Sequence, residues 1–168
     1  MYGAAIDVGV GLTTQYGLLA LLIVFALEGA LVGKLIPTRT LFVATVLALG
    51  SDTVGIVSVV LVAVAGATLG QIALFVSVRR TELTLESLPG SSRADAPGRA
   101  DLWFDRWGVP AVAFSNALPV TRGSLTVPAA ITGTDTLRFS ASSVVGTSVY
   151  SVGLVGIAVG IDAAVGLS

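Results

Sequence analysis

The chain has 168 residues, of which 54% are hydrophobic and 11% charged, with a mean hydropathy of +0.94. A water-soluble domain carries about 25% charge, so this chain lacks the residues to clothe a surface in water and reads as one polytopic membrane bundle. It has no Cys and no His, which excludes disulfide scaffolds, thiol or imidazole catalysis and Cys/His metal sites; a net charge of −1 without a basic cluster leaves no grip on nucleic acid.

In chain order, residues 1–15 hold Asp7 but no Lys or Arg. The basic start of a secretory signal is missing, and the segment is read as interfacial. Residues 16–33, interrupted by Glu28, predict a first transmembrane helix. Residues 35–50 carry Pro37 and Arg39 near their start; Pro breaks helices, and the segment predicts a re-entrant hairpin. Residues 54–78 are uncharged over 25 positions, and at 1.5 Å per residue they reach roughly 35 Å, enough to cross the hydrocarbon core.

Ten of the nineteen charged residues then fall between Arg79 and Arg106, so 79–106 reads as a solvated connection. Its end, 101–107, predicts a short interfacial helix with Trp103 and Trp107 on one face as an aromatic anchor. Residues 108–134 contain Pro110, Pro119 and Pro128 with Arg122 between them, and predict a second re-entrant hairpin. Non-helical backbone is tolerated at membrane depth only against protein or a wet cavity. Residues 139–161, again uncharged, predict the last span.

An offset of 83 aligns the chain on itself. Thr38-Arg39 pairs with Thr121-Arg122, and Gly50-Ser51-Asp52-Thr53 with Gly133-Thr134-Asp135-Thr136; the Arg to Gly spacing is 11 in both copies. Each copy has a Pro just before it (Pro37, Pro119) and a long span after it. The five Arg of 79–106 belong in the cytoplasm by the positive-inside rule, so the span 54–78 runs inward and 139–161 outward. The two hairpins then dip from opposite faces. The fold class expected is an all-α membrane protein of three or so transmembrane helices plus two opposed re-entrant hairpins in an inverted repeat, an architecture that places transporter sites near the midplane.

Charge in lipid is costly, so Glu28, Arg39 and Arg122 should face the interior. Two guanidinium forks from opposed hairpins suit phosphate or carboxylate. Glu28 can pair with an arginine, most simply Arg39 of the following hairpin, or carry a proton in a coupled cycle. Asn116, ahead of Pro119, can donate and accept in the same cavity or cap the backbone freed at the Pro break. Glu28, Arg39, Asn116 and Arg122 are thus the candidate substrate-binding residues, with Pro37 and Pro119 as hairpin breakers. Asp52 and Asp135 precede long helices and read as N-caps. The spacings Gly29/Gly33, Gly66/Gly70 and Gly156/Gly160 predict close helix approach, read here as packing within the chain, with a homodimer as the alternative.

Over roughly residues 20–160 the chain resembles the DedA family, also called the VTT or SNARE-associated Golgi protein family. The carrying residues are the acid in FALEG (Glu28), the helix glycines Gly66 and Gly70, and RWGVPAVAFSNALPVTRGSLTVPAAITG with Pro119, Arg122 and the closing Gly133. Asn116 stands where the family has its first Arg, and Pro37-Thr38-Arg39 where it has Pro-Gly-acid. The resemblance implies a multi-pass cell-membrane protein, not an enzyme, that moves a phosphate-bearing lipid such as a polyprenyl phosphate or a phospholipid between leaflets. The family's acids are linked with proton coupling and its arginines with lipid head groups, so the two departures weigh on coupling more than on lipid binding. No cofactor or metal is expected. The competing functions are a noncatalytic membrane scaffold and an enzyme acting on a lipid phosphate; the latter is disfavoured because Ser or Thr without a neighbouring base is a poor nucleophile.

Overall fold

The computed structural model describes residues 17–31, 37–49, 52–81 and 106–166. The expected N-terminal interfacial segment and nearly all of the 79–106 connection, Trp103 included, lie outside the described residues. Within them every regular element is a helix: α1 (Leu18–Gly29), α2 (Thr38–Leu49), α3 (Thr53–Thr81), α4 (Val109–Ala117), α5 (Thr126–Ile131) and α6 (Thr136–Val165).

Two of these, α3 with 29 residues and α6 with 30, are long and apolar enough to cross a membrane. Both outrun the uncharged runs that foretold them. A charge or hydroxyl at the end of a span leaves the hydrocarbon, but the backbone ladder continues until its terminal groups find other partners. Each long helix begins on an aspartate. The Asp52 Oδ1 accepts the Gly55 N–H at 2.8 Å, and the Asp135 Oδ1 accepts those of Leu137 and Arg138 at 3.1 and 3.0 Å. The offset of 83 therefore joins two equivalent helix starts, Thr53 and Thr136.

The shorter elements are less regular. α1 has 12 residues, about 18 Å at 1.5 Å per residue, and is shorter than the expected 16–33. It stops because Leu31 turns to a φ of 61°. The described part of the first expected hairpin, 37–49, holds one continuous helix, α2. Pro37 sits just ahead of it, where a missing N–H breaks no helical bond; its carbonyl accepts Leu41 N at 3.0 Å. The second expected hairpin is a helix, a turn and a helix: α4 ends at Ala117, Pro119 lies in the turn 118–125, and α5 carries Pro128 in its first turn.

Phe75 stacks on Phe139 with ring centroids 4.4 Å apart, and Gln71 hydrogen-bonds Ser143. Moving up α3 thus moves down α6, so the two long helices are antiparallel. α1 lies directly on α3, where a Cβ at Gly70 would collide with the carbonyl of Ala26, and one at Gly29 with that of Ala67. Gly66/Gly70 therefore serve a contact within the chain. Gly156 and Gly160 meet nothing within 4 Å.

The core is mainly apolar, with Phe25, Phe42, Phe75 and Phe139 fully buried, and it also encloses Gln71, Asn116, Ser143, Thr147 and Ser151. Leu61, Leu69, Val145, Val149, Val152 and Ile157 are exposed. Such an apolar exterior suits a lipid-facing bundle.

Candidate functional site

Four elements converge on a cavity of about 370 Å³. The end of α1 delivers Glu28, the start of α2 delivers Thr38 and Arg39, α3 delivers Gln71, and the turn between α4 and α5 delivers Pro119, Arg122 and Gly123. Thr40 and Val120, both exposed, stand at its rim.

Arg122 is the centre of this arrangement. Its side chain is 8% exposed, its Nε lies 3.6 Å from the Glu28 Oε1, and its guanidinium carbon sits 4.3 Å from the centroid of the Tyr150 ring. The aromatic face offers a desolvated cation up to about 2 kcal/mol. Neither contact uses the end of the fork: among the described residues Nη1 and Nη2 of Arg122 and Oε2 of Glu28 are buried without a hydrogen-bond partner. Buried charged groups in that condition are expensive. An acceptor with two oxygens entering the cavity would relieve it, because a planar guanidinium binds carboxylate or phosphate with two parallel bonds.

Arg39 is exposed and reaches across the cavity mouth, where its Nη2 donates to the Pro119 carbonyl. The simplest pairing for Glu28, with Arg39, does not form. Glu28 pairs instead with Arg122, because α1 packs where the α4–α5 turn can reach it. Both arginines, matched in sequence by the offset of 83, line one cavity together with Glu28, Pro37 and Pro119.

Asn116 lies behind this wall, 1% exposed and outside the cavity lining. Its Oδ1 accepts the Gly123 N–H at 3.0 Å and the Gln71 Nε2 at 3.3 Å; its Nδ2 donates to Gln71 Oε1 at 2.8 Å and to Ser143 Oγ at 3.3 Å. Ser115 adds a clasp next to it: its Oγ donates to the Thr121 carbonyl and meets Ser124 Oγ at 3.2 Å. The turn bearing Arg122 is thereby tied to the end of α4.

Gln71 and Tyr150 escaped the sequence reasoning. The signal for Gln71 was present, since a lone amide inside a 25-residue uncharged span has to be hydrogen-bonded within the bundle. For Tyr150 nothing local distinguishes it from an aromatic at an interface. Among the described residues no group of three acidic, His or Cys side chains is placed to hold a metal.

No family model and no solved structure matches the chain. One curated protein does: undecaprenyl phosphate transporter A of Staphylococcus aureus is 35% identical over 57 residues, which cover 34% of this chain and 28% of the relative's length. The chain is thus distantly similar, over about a third of its length, to a transporter of a lipid phosphate.

Proposed function

We propose that this chain is a DedA-like translocator of a phosphate-bearing lipid. The observation that carries the reading is Arg122, a buried cation whose terminal nitrogens lack partners among the described residues at the wall of a cavity. The matched relative's own substrate, a lipid phosphate, fits that donor set. Arg39 at the mouth receives the head group and Arg122 holds it, while Glu28 keeps Arg122 oriented when the cavity is empty and limits how tightly the anion binds. The role of Glu28 in ion coupling belongs to the same proposal.

The antiparallel course of α3 and α6, the helices that follow the two copies of the repeat, supports an inverted repeat. With 79–106 in the cytoplasm, the segments holding Arg39 and Arg122 enter from opposite faces and meet near the midplane. On this reading the chain is a multi-pass cell-membrane protein, with α1 as a further membrane-embedded helix.

The test is reconstitution into liposomes containing a polyprenyl phosphate such as undecaprenyl phosphate, following the accessibility of the head group from outside. Protein-dependent exposure of the inner-leaflet pool supports translocation. Unchanged accessibility contradicts it and favours a scaffold, and release of free phosphate indicates an enzyme.

A further inference from the structure

Arg122 sits on a turn, and a turn does not hold a long side chain in place by itself. The residue after it, Gly123, has a φ of 74°, a left-handed conformation that Gly adopts without steric cost. Its N–H points back to the Asn116 Oδ1 at 3.0 Å. Asn116 is in turn held by Gln71 of α3 and by Ser143 of α6, and Ser143 also donates to Gln71 Oε1. All three side chains are at most 1% exposed. Asn116 has two donors and an acceptor oxygen with two lone pairs, and its four hydrogen bonds occupy them all, which leaves nothing for a ligand. Three helices, α3, α4 and α6, therefore converge through one amide pair onto the backbone next to Arg122.

We infer that Gln71, Asn116 and Ser143 form a positioning triad that fixes the Arg122 fork at the cavity wall, and that Asn116 is not itself a substrate ligand. The inference rests on the proposed anion site only for its purpose; the positioning can be read separately. Gln71 is the one member that lines the cavity. An occupant pressing on its side chain is thus connected through Asn116 to the turn carrying Arg122.

The triad makes two demands. Loss of the Asn116 acceptor should release Gly123 and let the guanidinium leave its place between Glu28 and Tyr150. Loss of Gln71 or Ser143 should do so more weakly, because Asn116 keeps its bond to Gly123. Phenylglyoxal, which modifies accessible arginines, reads this directly when the modification rate of Arg122 is followed by peptide mass on the purified chain. Arg138, exposed and on another element, serves as an internal reference. In Asn116→Leu the ratio of Arg122 to Arg138 modification should rise about five-fold or more, the shift that one net hydrogen bond of about 1 kcal/mol controls in an opening equilibrium. Asn116→Asp, which retains an acceptor for Gly123 but loses the donor bonds to Gln71 and Ser143, should rise less than Asn116→Leu. Gln71→Ala and Ser143→Ala should fall between the parent and Asn116→Leu; they supply the answer if Asn116→Leu does not fold. An unchanged ratio in folded Asn116→Leu, or in both Gln71→Ala and Ser143→Ala where Asn116→Leu is unfolded, would overturn the inference, as would Asn116→Asp behaving like Asn116→Leu.

The same proteins are assayed for binding of short-chain phosphatidic acid. Faster Arg122 modification with weakened binding supports both the triad and the anion site. Faster modification with unchanged binding retains the triad and removes the phosphate reading.

Discussion

Glu28 and Arg122 form an ion pair that uses only half of each partner: Oε1 meets Nε at 3.6 Å, while Oε2 and both terminal nitrogens are left without a partner among the described residues. A pair selected for stability alone would close both forks, since each unpaired buried charged atom carries a desolvation cost. Both residues line a cavity that Arg39 also lines. The pair is held together, yet each member keeps capacity for a third group.

Removing the carboxylate should shift the balance toward the anion. In Glu28→Gln the guanidinium loses a competing negative charge, a Coulomb attraction of roughly 4–5 kcal/mol at 3.6 Å and an effective dielectric of about 20, most of it offset by the cost of keeping both charges out of water. Phosphatidic acid should bind about ten-fold tighter, and release should slow transport. Titration calorimetry in detergent together with the liposome assay checks both. Equal affinity and an unchanged transport rate would remove Glu28 from the mechanism.

The α1–α3 contact makes opposite predictions for two glycines. Gly70→Ala places a Cβ against the Ala26 backbone, which cannot move as the end of a flexible side chain would. Overpacking of this kind costs typically 1–3 kcal/mol, and the melting temperature should fall. Gly156→Ala meets nothing within 4 Å and should raise stability by about 0.5–1 kcal/mol, from the lower conformational entropy of Ala in a helix. Thermal unfolding followed by circular dichroism distinguishes them. A destabilised Gly156→Ala would reveal a partner on that face of α6.

Capping contributes separately. Asp135→Ala removes an acceptor for two N–H groups and should cost about 1 kcal/mol, with Asp135→Asn nearly neutral because Asn caps almost as well. The same thermal unfolding measurement, applied to these two variants, checks the order.

The antiparallel long helices predict membrane sidedness. Because the chain lacks Cys, single-Cys variants report cleanly with an impermeant thiol reagent. Thr81→Cys and Leu137→Cys, at the end marked by Phe75 and Phe139, should label from the cytoplasm. Thr53→Cys and Ala163→Cys should label from outside. Labelling of Thr53→Cys and Leu137→Cys from one face would contradict the inverted repeat.

Much of this architecture is legible in the residues. Uncharged runs mark α3 and α6 because burial in hydrocarbon forbids charge along their length, and Gly-x-Asp-Thr marks where both begin because Asp caps free N–H groups. The three isolated charges Glu28, Arg39 and Arg122 line one cavity, although Arg39, expected to face the interior, is exposed at its mouth. What the residues did not disclose depends on packing. Glu28 chooses Arg122 over the nearer Arg39 because Gly29, Gly66 and Gly70 draw α1 onto α3, a consequence of three missing side chains. Asn116 reads either as a cavity ligand or as a cap for backbone freed at Pro119; with Gln71 and Ser143 arriving from α3 and α6, its Oδ1 accepts the Gly123 N–H of that turn. The length of α1 was overestimated because hydropathy does not sense the left-handed turn at Leu31.

The proposed grip of Arg122 on an anionic phosphate goes through its guanidinium fork. Its most direct test is the rate at which liposome-reconstituted protein exchanges a polyprenyl phosphate between leaflets, compared for the parent, Arg122→Lys and Arg122→Ala, all verified as folded and monodisperse. Losing bidentate, charge-assisted bonds costs about 1.5–3 kcal/mol, and Lys keeps the charge without the planar fork. The expected order is parent above Arg122→Lys above Arg122→Ala, with the last slowed by about ten-fold or more. Parent rates in a folded Arg122→Ala would contradict it and leave Arg122 as a structural counter-charge to Glu28.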